Sequence, residues 1–105
     1  MDITMVVPRL PGREETVTAE EGWIGPGGSA ANYAVAVSRL GHRASLVSIA
    51  GVEASVLGVL EALRSEGVDL SYVRVTRDPG NVTVILLPPG RSSRTMISLR
   101  RASRI

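Results

Sequence analysis

The feature that most restricts this chain is the alternation of helix and strand signals between residues 29 and 76, because only a layered α/β arrangement satisfies it. Ser29 is a good N-cap, and Ala30, Ala31, Ala34, Val35, Val37 and Leu40 follow at helical spacing before Gly41 offers a left-handed stop. The small residues let this helix press close to a sheet. Residues 44–50 read Ala-Ser-Leu-Val-Ser-Ile-Ala, a short and mostly apolar stretch expected of a strand buried on both faces. A second helix is predicted over about 54–66, with Val56, Leu57, Leu60 and Leu63 on one face, Glu61 and Arg64 paired outside it, and Gly67 beyond its end. A strand at 72–76 completes a parallel unit whose crossovers are right-handed.

The flanks have a different texture. Residues 15–20, Glu-Thr-Val-Thr-Ala-Glu, are rich in β-branched residues, and 82–87 with 94–99 flank the turn Pro88-Pro89-Gly90-Arg91. Both read as antiparallel strands, polar on one side, that belong to a small separate sheet projecting from the α/β body. The expected division is lid strands at about 14–24 and 81–100 and a body at about 27–77, within one domain.

Composition narrows the function classes. All twelve basic residues are arginine, and the chain holds no cysteine, which excludes disulfides and thiolate metal sites and points to the cytoplasm. No apolar run reaches membrane-spanning length, and no secretory signal pattern opens the chain, so no membrane role is expected. A net charge of +2 is too small to argue for nucleic acid. Residues 91–105 carry Arg91, Arg94, Arg100, Arg101 and Arg104 without an acid, but no aromatic platform interleaves them. His42, after Gly41, reads as a surface residue. Trp23 reads as a packing residue near the glycine motif. Asp69 and Asp78 lie beside turn signals, where aspartate is solvated or closes an Asx turn.

Gly25-Pro26-Gly27-Gly28-Ser29-Ala30-Ala31-Asn32 places adjacent glycines at a helix entrance, where backbone N–H groups lack intrahelical partners. Hydroxyls or anions fit there, and a side chain at Gly27 or Gly28 would hold a ligand away from the backbone. Asn32 offers an amide donor and a carbonyl acceptor, which suits a sugar hydroxyl. The bland alternative is a capped, Gly-rich turn. A further alternative is a dinucleotide site, since Gly25-x-Gly27-x-x-Ala30 fits that pattern with Glu53 at ribose-binding spacing. That motif should follow a buried apolar strand, whereas Glu20-Glu21-Gly22-Trp23-Ile24 is half polar.

Gly27-Gly28-Ser29-Ala30-Ala31-Asn32, Ala34 and Ser38-Arg39-Leu40-Gly41 together resemble the first signature of PfkB/ribokinase-type carbohydrate kinases. Gly51, the second helix, Glu66-Gly67-Val68-Asp69, Tyr72-Val73 and the hairpin come in that family's order. Upstream, Asp2-Ile3, Leu10-Pro11 and Glu15-Thr16-Val17 resemble the stretch in which an aspartate binds sugar hydroxyls near a lid strand. The resemblance implies a ribokinase-like, partial Rossmann-type α/β body with a projecting β lid. It also implies a substrate site of Asp2, Gly27, Gly28 and Asn32.

Four departures stand out. No strand precedes Asp2 to anchor it, Ser29 stands where many ribokinases have lysine, and Val52-Glu53 replaces the usual Asp-Asp pair. In place of the glycine expected after the second hairpin strand is Arg101. The family's Gly-Ala-Gly-Asp signature, whose aspartate is the catalytic base, is not among these residues, so no catalytic residue is assigned. The expectation is the sugar-binding and lid part of an ATP-dependent sugar or nucleoside kinase, which phosphorylates a hydroxymethyl group. Used alone, this part is expected to be inactive. ATP and Mg²⁺ are implied for the intact family enzyme and no cofactor for this chain by itself. Pairing with a second copy through lid strands or sheet edges is expected. The alternative from another class is a non-catalytic sugar-binding or interaction module.

Overall fold

The computed structural model of the chain describes residues 1–90 and 93–101. Arg91 of the hairpin turn and Arg104 of the basic tail lie outside them. The elements in chain order are β1 (Asp2–Val6), β2 (Glu21–Gly25), α1 (Ser29–Arg39), β3 (Ser48–Ala50), α2 (Val52–Val56), α3 (Val59–Ser65), β4 (Val73–Val75), β5 (Val82–Leu87) and β6 (Thr95–Leu99). They form a four-stranded sheet in the order β2-β1-β5-β6 and a separate two-stranded sheet of β3 and β4.

The α/β part conforms to the helix and strand pattern, with instructive corrections. Helix α1 ends as expected, because Gly41 adopts φ 89° and its N–H reaches the Ser38 carbonyl at 3.0 Å. Its start is one residue earlier than read. Gly28, not Ser29, is the N-cap, at φ 92° and without a side-chain cap. The predicted single helix over 54–66 is two. Gly58 turns left-handed at φ 78° between α2 and α3, which rotates the apolar face. Val56 and Leu57 therefore face solvent, while Val59 and Leu63 are buried. Glu61 and Arg64 do pair at 2.7 Å.

Strands β3 and β4 are parallel, with Ser48 opposite Val73 and Ala50 opposite Val75. The stretch 44–50 is not buried on both faces, since Val47 is 57% exposed and only Leu46 is buried. A two-stranded sheet leaves each strand one open edge, and one helical layer covers one side. The core joins Ala31 and Ala34 of α1, Leu46, Leu63 of α3, and Val68. Ser38 Oγ donates to the Glu66 carbonyl at 2.5 Å, and the Arg39 guanidinium grips the Glu66 carboxylate at 2.5 and 2.8 Å, which ties the end of α1 to the end of α3.

The larger sheet departs further from the sequence reading. Asp2 is anchored after all, because β1 lies between β2, antiparallel to it, and β5, parallel to it. The β-branched stretch 15–20 forms no strand, and the pairing strand is Glu21–Gly25 instead. Gly22 suits that pairing, since a Cβ there would come a tight 3.1 Å from the Thr4 carbonyl oxygen. The hairpin of β5 and β6 forms as read, with Val84 opposite Ile97. The strand before the glycine motif is thus an exposed antiparallel edge strand, the wrong context for a dinucleotide fingerprint. Among the described residues no helix is long and apolar enough to cross a membrane.

Candidate functional site

A cleft of about 470 Å³ opens where the two sheets meet α1 and α2. Its walls include Asp2 from the start of β1, Gly27, Gly28 and Ser29 from the entrance to α1, Gly51 and Glu53 around the start of α2, Thr83 of β5, and Arg100. The parallel register sets Asp2 beside Thr83, and the antiparallel register sets it beside Gly25. Pro26 then turns the chain so that Gly27 comes back against the Asp2 side chain. The approach is so close that a Cβ on Gly27 would overlap the Asp2 carboxylate, lying 2.5 Å from Cγ and 2.8 Å from Oδ2. Any larger residue at Gly27 would have to displace the Asp2 side chain.

Three of the four sequence-based site residues therefore come together: Asp2, Gly27 and Gly28. The fourth does not join them. Asn32 is exposed one turn into α1 and lines a different groove, with Val35, Ala36, Arg39, Ala62 and Glu66. Its backbone N–H bonds the Gly28 carbonyl at 3.1 Å, so Gly28 closes the first helical turn as well as facing the cleft. Asn81 and Thr83 were not singled out by sequence, and Glu53 only as the ribose-facing residue of the dinucleotide alternative and as a substitution into a family Asp-Asp position. No signal existed for Thr83, whose place depends on pairing with a strand about 80 residues away.

Chemically the cleft presents a carboxylate acceptor at Asp2, peptide N–H groups at a helix start, and the Thr83 hydroxyl, which shares a hydrogen with Ser98 Oγ at 3.1 Å. Such groups can accept from and donate to hydroxyls. The depressed carboxyls lie elsewhere. Hydrogen bonds from Arg39 hold the Glu66 carboxyl below its ordinary range, and bonds from the Ser71 hydroxyl and N–H, then from Ser45, do the same for Asp69. The Asp69–Ser71 contact is the Asx turn read from sequence, with the Ser71 N–H at 3.0 Å. His42 is exposed. Among the described residues no three His, Asp or Glu side chains converge as a set of donors for a metal ion.

Comparison with known proteins places this geometry. The model of the pfkB family of carbohydrate kinases matches residues 1–104. Ribokinase of Arabidopsis thaliana is 35% identical over 96 residues, covering 88% of this chain and 25% of that protein. Fructosamine kinase of Bacillus subtilis is 34% identical over 62 residues, covering 59% of this chain and 22% of that protein. The chain thus spans a quarter or less of these two curated relatives. Among solved structures, Arabidopsis thaliana ribokinase complexed with ribose and ATP superposes with a TM-score of 0.75 and 30% identity over 93% of this chain and 32% of that one. The family match covers nearly the whole sequence, and the chain belongs to the pfkB family of carbohydrate kinases.

Proposed function

We propose that this chain forms the substrate-binding wall and lid of an ATP-dependent sugar or nucleoside kinase, whose whole reaction transfers the γ-phosphoryl group to a hydroxymethyl group. The observation that carries this reading is the Asp2 carboxylate packed against Gly27 at the wall of the 470 Å³ cleft. Asp2 accepts protons from sugar hydroxyls, while Gly28 and the α1 entrance donate backbone N–H groups to their oxygens. Asn32 faces the other groove and has no part in this scheme. The relatives act on different substrates, a pentose in one and a fructosamine in another, so support for the class is stronger than for any one sugar.

Phosphoryl transfer rests on positioning and charge stabilisation by groups around the phosphates, together with a base on the acceptor hydroxyl. The assigned contacts of this chain all bind the acceptor, so the 105 residues alone bind sugar weakly and transfer nothing. ATP and Mg²⁺ belong to the larger enzyme in this reading, and the cytoplasm is its compartment. A second copy covers the outer face of the four-stranded sheet. Register places Ile24, Ile3, Val84 and Ile97 in one row across it, and Ile24 and Ile97 are 44% and 66% exposed.

Calorimetric titration of the chain with D-ribose, fructosamine and adenosine tests the assignment. The expected result is millimolar binding of at least one, abolished by Asp2→Asn, with no ATP turnover. Binding unaffected by that substitution, or turnover that survives repurification, refutes the corresponding part.

A further inference from the structure

Glu53 has no role in the binding scheme above, yet it is held in a specific position. Its Oε1 accepts the Gly80 N–H at 2.6 Å, while its Oε2 is buried with no hydrogen-bond partner among the described residues. Two glycine backbones meet at the same point. A Cβ on Gly80 would come 2.9 Å from the Gly51 nitrogen and 3.3 Å from its Cα, and a Cβ on Gly51 would strike the Gly80 nitrogen and both Glu53 oxygens. The Thr76 N–H closes the junction on the Ala50 carbonyl at 2.9 Å. The segment that leaves β4 for β5 is therefore fastened to the turn between β3 and α2.

Asn81, the next residue along the chain, connects this fastening to the ligand wall. Its main-chain carbonyl accepts a hydrogen bond from the Met1 ammonium at 3.2 Å, and its Oδ1 accepts the Arg101 N–H at 2.7 Å. Met1 precedes Asp2, and Arg101 comes directly after Arg100, which lines the cleft. One residue beyond Gly80, then, the chain grips both the start of β1 and the end of β6.

We propose that Glu53 is a positioning residue: through Gly80 and Asn81 it fixes the four-stranded sheet, and Asp2 with it, against the α/β layer. The inference rests on reading the cleft as a sugar site. The bond to Gly80 holds the two sheets at a set spacing. The unpartnered Oε2 opposes it, because a carboxyl oxygen removed from water without a donor is destabilising. A ligand that touches both walls shifts the junction toward the fastened state.

Amide hydrogen exchange and D-ribose calorimetry on the wild-type chain, Glu53→Ala and Glu53→Gln test this. Glu53→Ala should speed exchange at Gly80 and Asn81 about tenfold, leave the β3–β4 amides unchanged, and weaken D-ribose about tenfold. Glu53→Gln keeps an oxygen toward Gly80 and should restore both within about threefold. Unchanged exchange at Gly80 in Glu53→Ala overturns the proposal. So does faster exchange spread evenly over all strands, the mark of a merely structural residue. If the exchange pattern holds but no sugar binds the wild type, the sugar reading falls and the positioning role stands.

Discussion

Gly27→Ala adds one methyl group where the Asp2 carboxylate already stands. The new Cβ would lie 2.5 Å from Asp2 Cγ and 2.8 Å from Oδ2, against an optimum of about 3.5–4.0 Å between carbon atoms, so roughly an ångström must be recovered. The backbone of Asp2 is paired on both sides, with Gly25 and with Thr83, and does not yield cheaply. Gly27 itself lies outside the positive-φ glycines, so backbone strain adds nothing. The half-buried Asp2 side chain rotates instead. Overpacking of this kind costs about 1–3 kcal/mol, and the free rotation of an end group puts this case near the lower figure. Ligand binding suffers more. A lost hydrogen bond to a charged group is worth about 1.5–3 kcal/mol, or about 10- to 150-fold in Kd. Urea unfolding of Gly27→Ala, Asp2→Ala and the double variant, with sugar calorimetry on each, measures both effects. Once Asp2 is truncated, the stability cost of Gly27→Ala should fall to within about 0.5 kcal/mol of zero. An equal cost in both backgrounds would refute the argument that Gly27 is glycine because of Asp2.

The Arg39–Glu66 pair carries a pH signature. Arg39 lowers the folded-state pKa of Glu66, so the stabilisation is fully present above the unfolded value of about 4.3 and is lost as pH falls through the lower folded value. Thermal midpoints of Glu66→Gln should lie below wild type at neutral pH and converge on it in acid, and a gap that ignores pH would sink the assignment. Ile97→Arg places a charge in the apolar row of the outer sheet face, where Ile97 is 66% exposed. Sedimentation should show wild-type dimers and Ile97→Arg monomers of unchanged stability. A wild type that stays monomeric at high concentration refutes the second-copy proposal.

The parts of the fold legible in the sequence are those whose signals are local. Gly41 and Gly67 stop α1 and α3 through their own left-handed conformations, and the hairpin of β5 and β6 is written in alternating residues on either side of a turn. What escaped depends on distant pairing. Ile3, Thr4 and Val6 give residues 2–6 β-branched character, but the parallel partner that makes β1 a central strand, β5, comes from the other end of the chain. The Thr-Val-Thr stretch at 16–18 has the better β propensity, yet Glu21–Gly25 pairs with β1. That register sets Ile24 against Ile3 and brings Gly22 to the crowded position beside Thr4. Gly58 misled in the opposite sense, because apolar periodicity runs through it while its left-handed backbone breaks the helix.

The same distinction explains the site. Gly27 and Gly28 were readable as a ligand-facing turn because the reason for glycine is local at Gly28, where φ is 92°. At Gly27 the reason is Asp2, which reaches it only after β1 has been placed between two partners. An aspartate at the start of a chain would ordinarily be solvated and mobile. Here the Met1 ammonium is bonded to the Asn81 carbonyl, and the Thr83 N–H to the Met1 carbonyl at 3.0 Å, so the residue before Asp2 is held at both of its backbone ends. The anchor that the sequence lacked upstream of Asp2 is supplied from β5. If the cleft is the sugar site, substitutions at Glu53, Gly80 or Asn81 should act on sugar affinity through the β4–β5 connection that holds Asp2 in place.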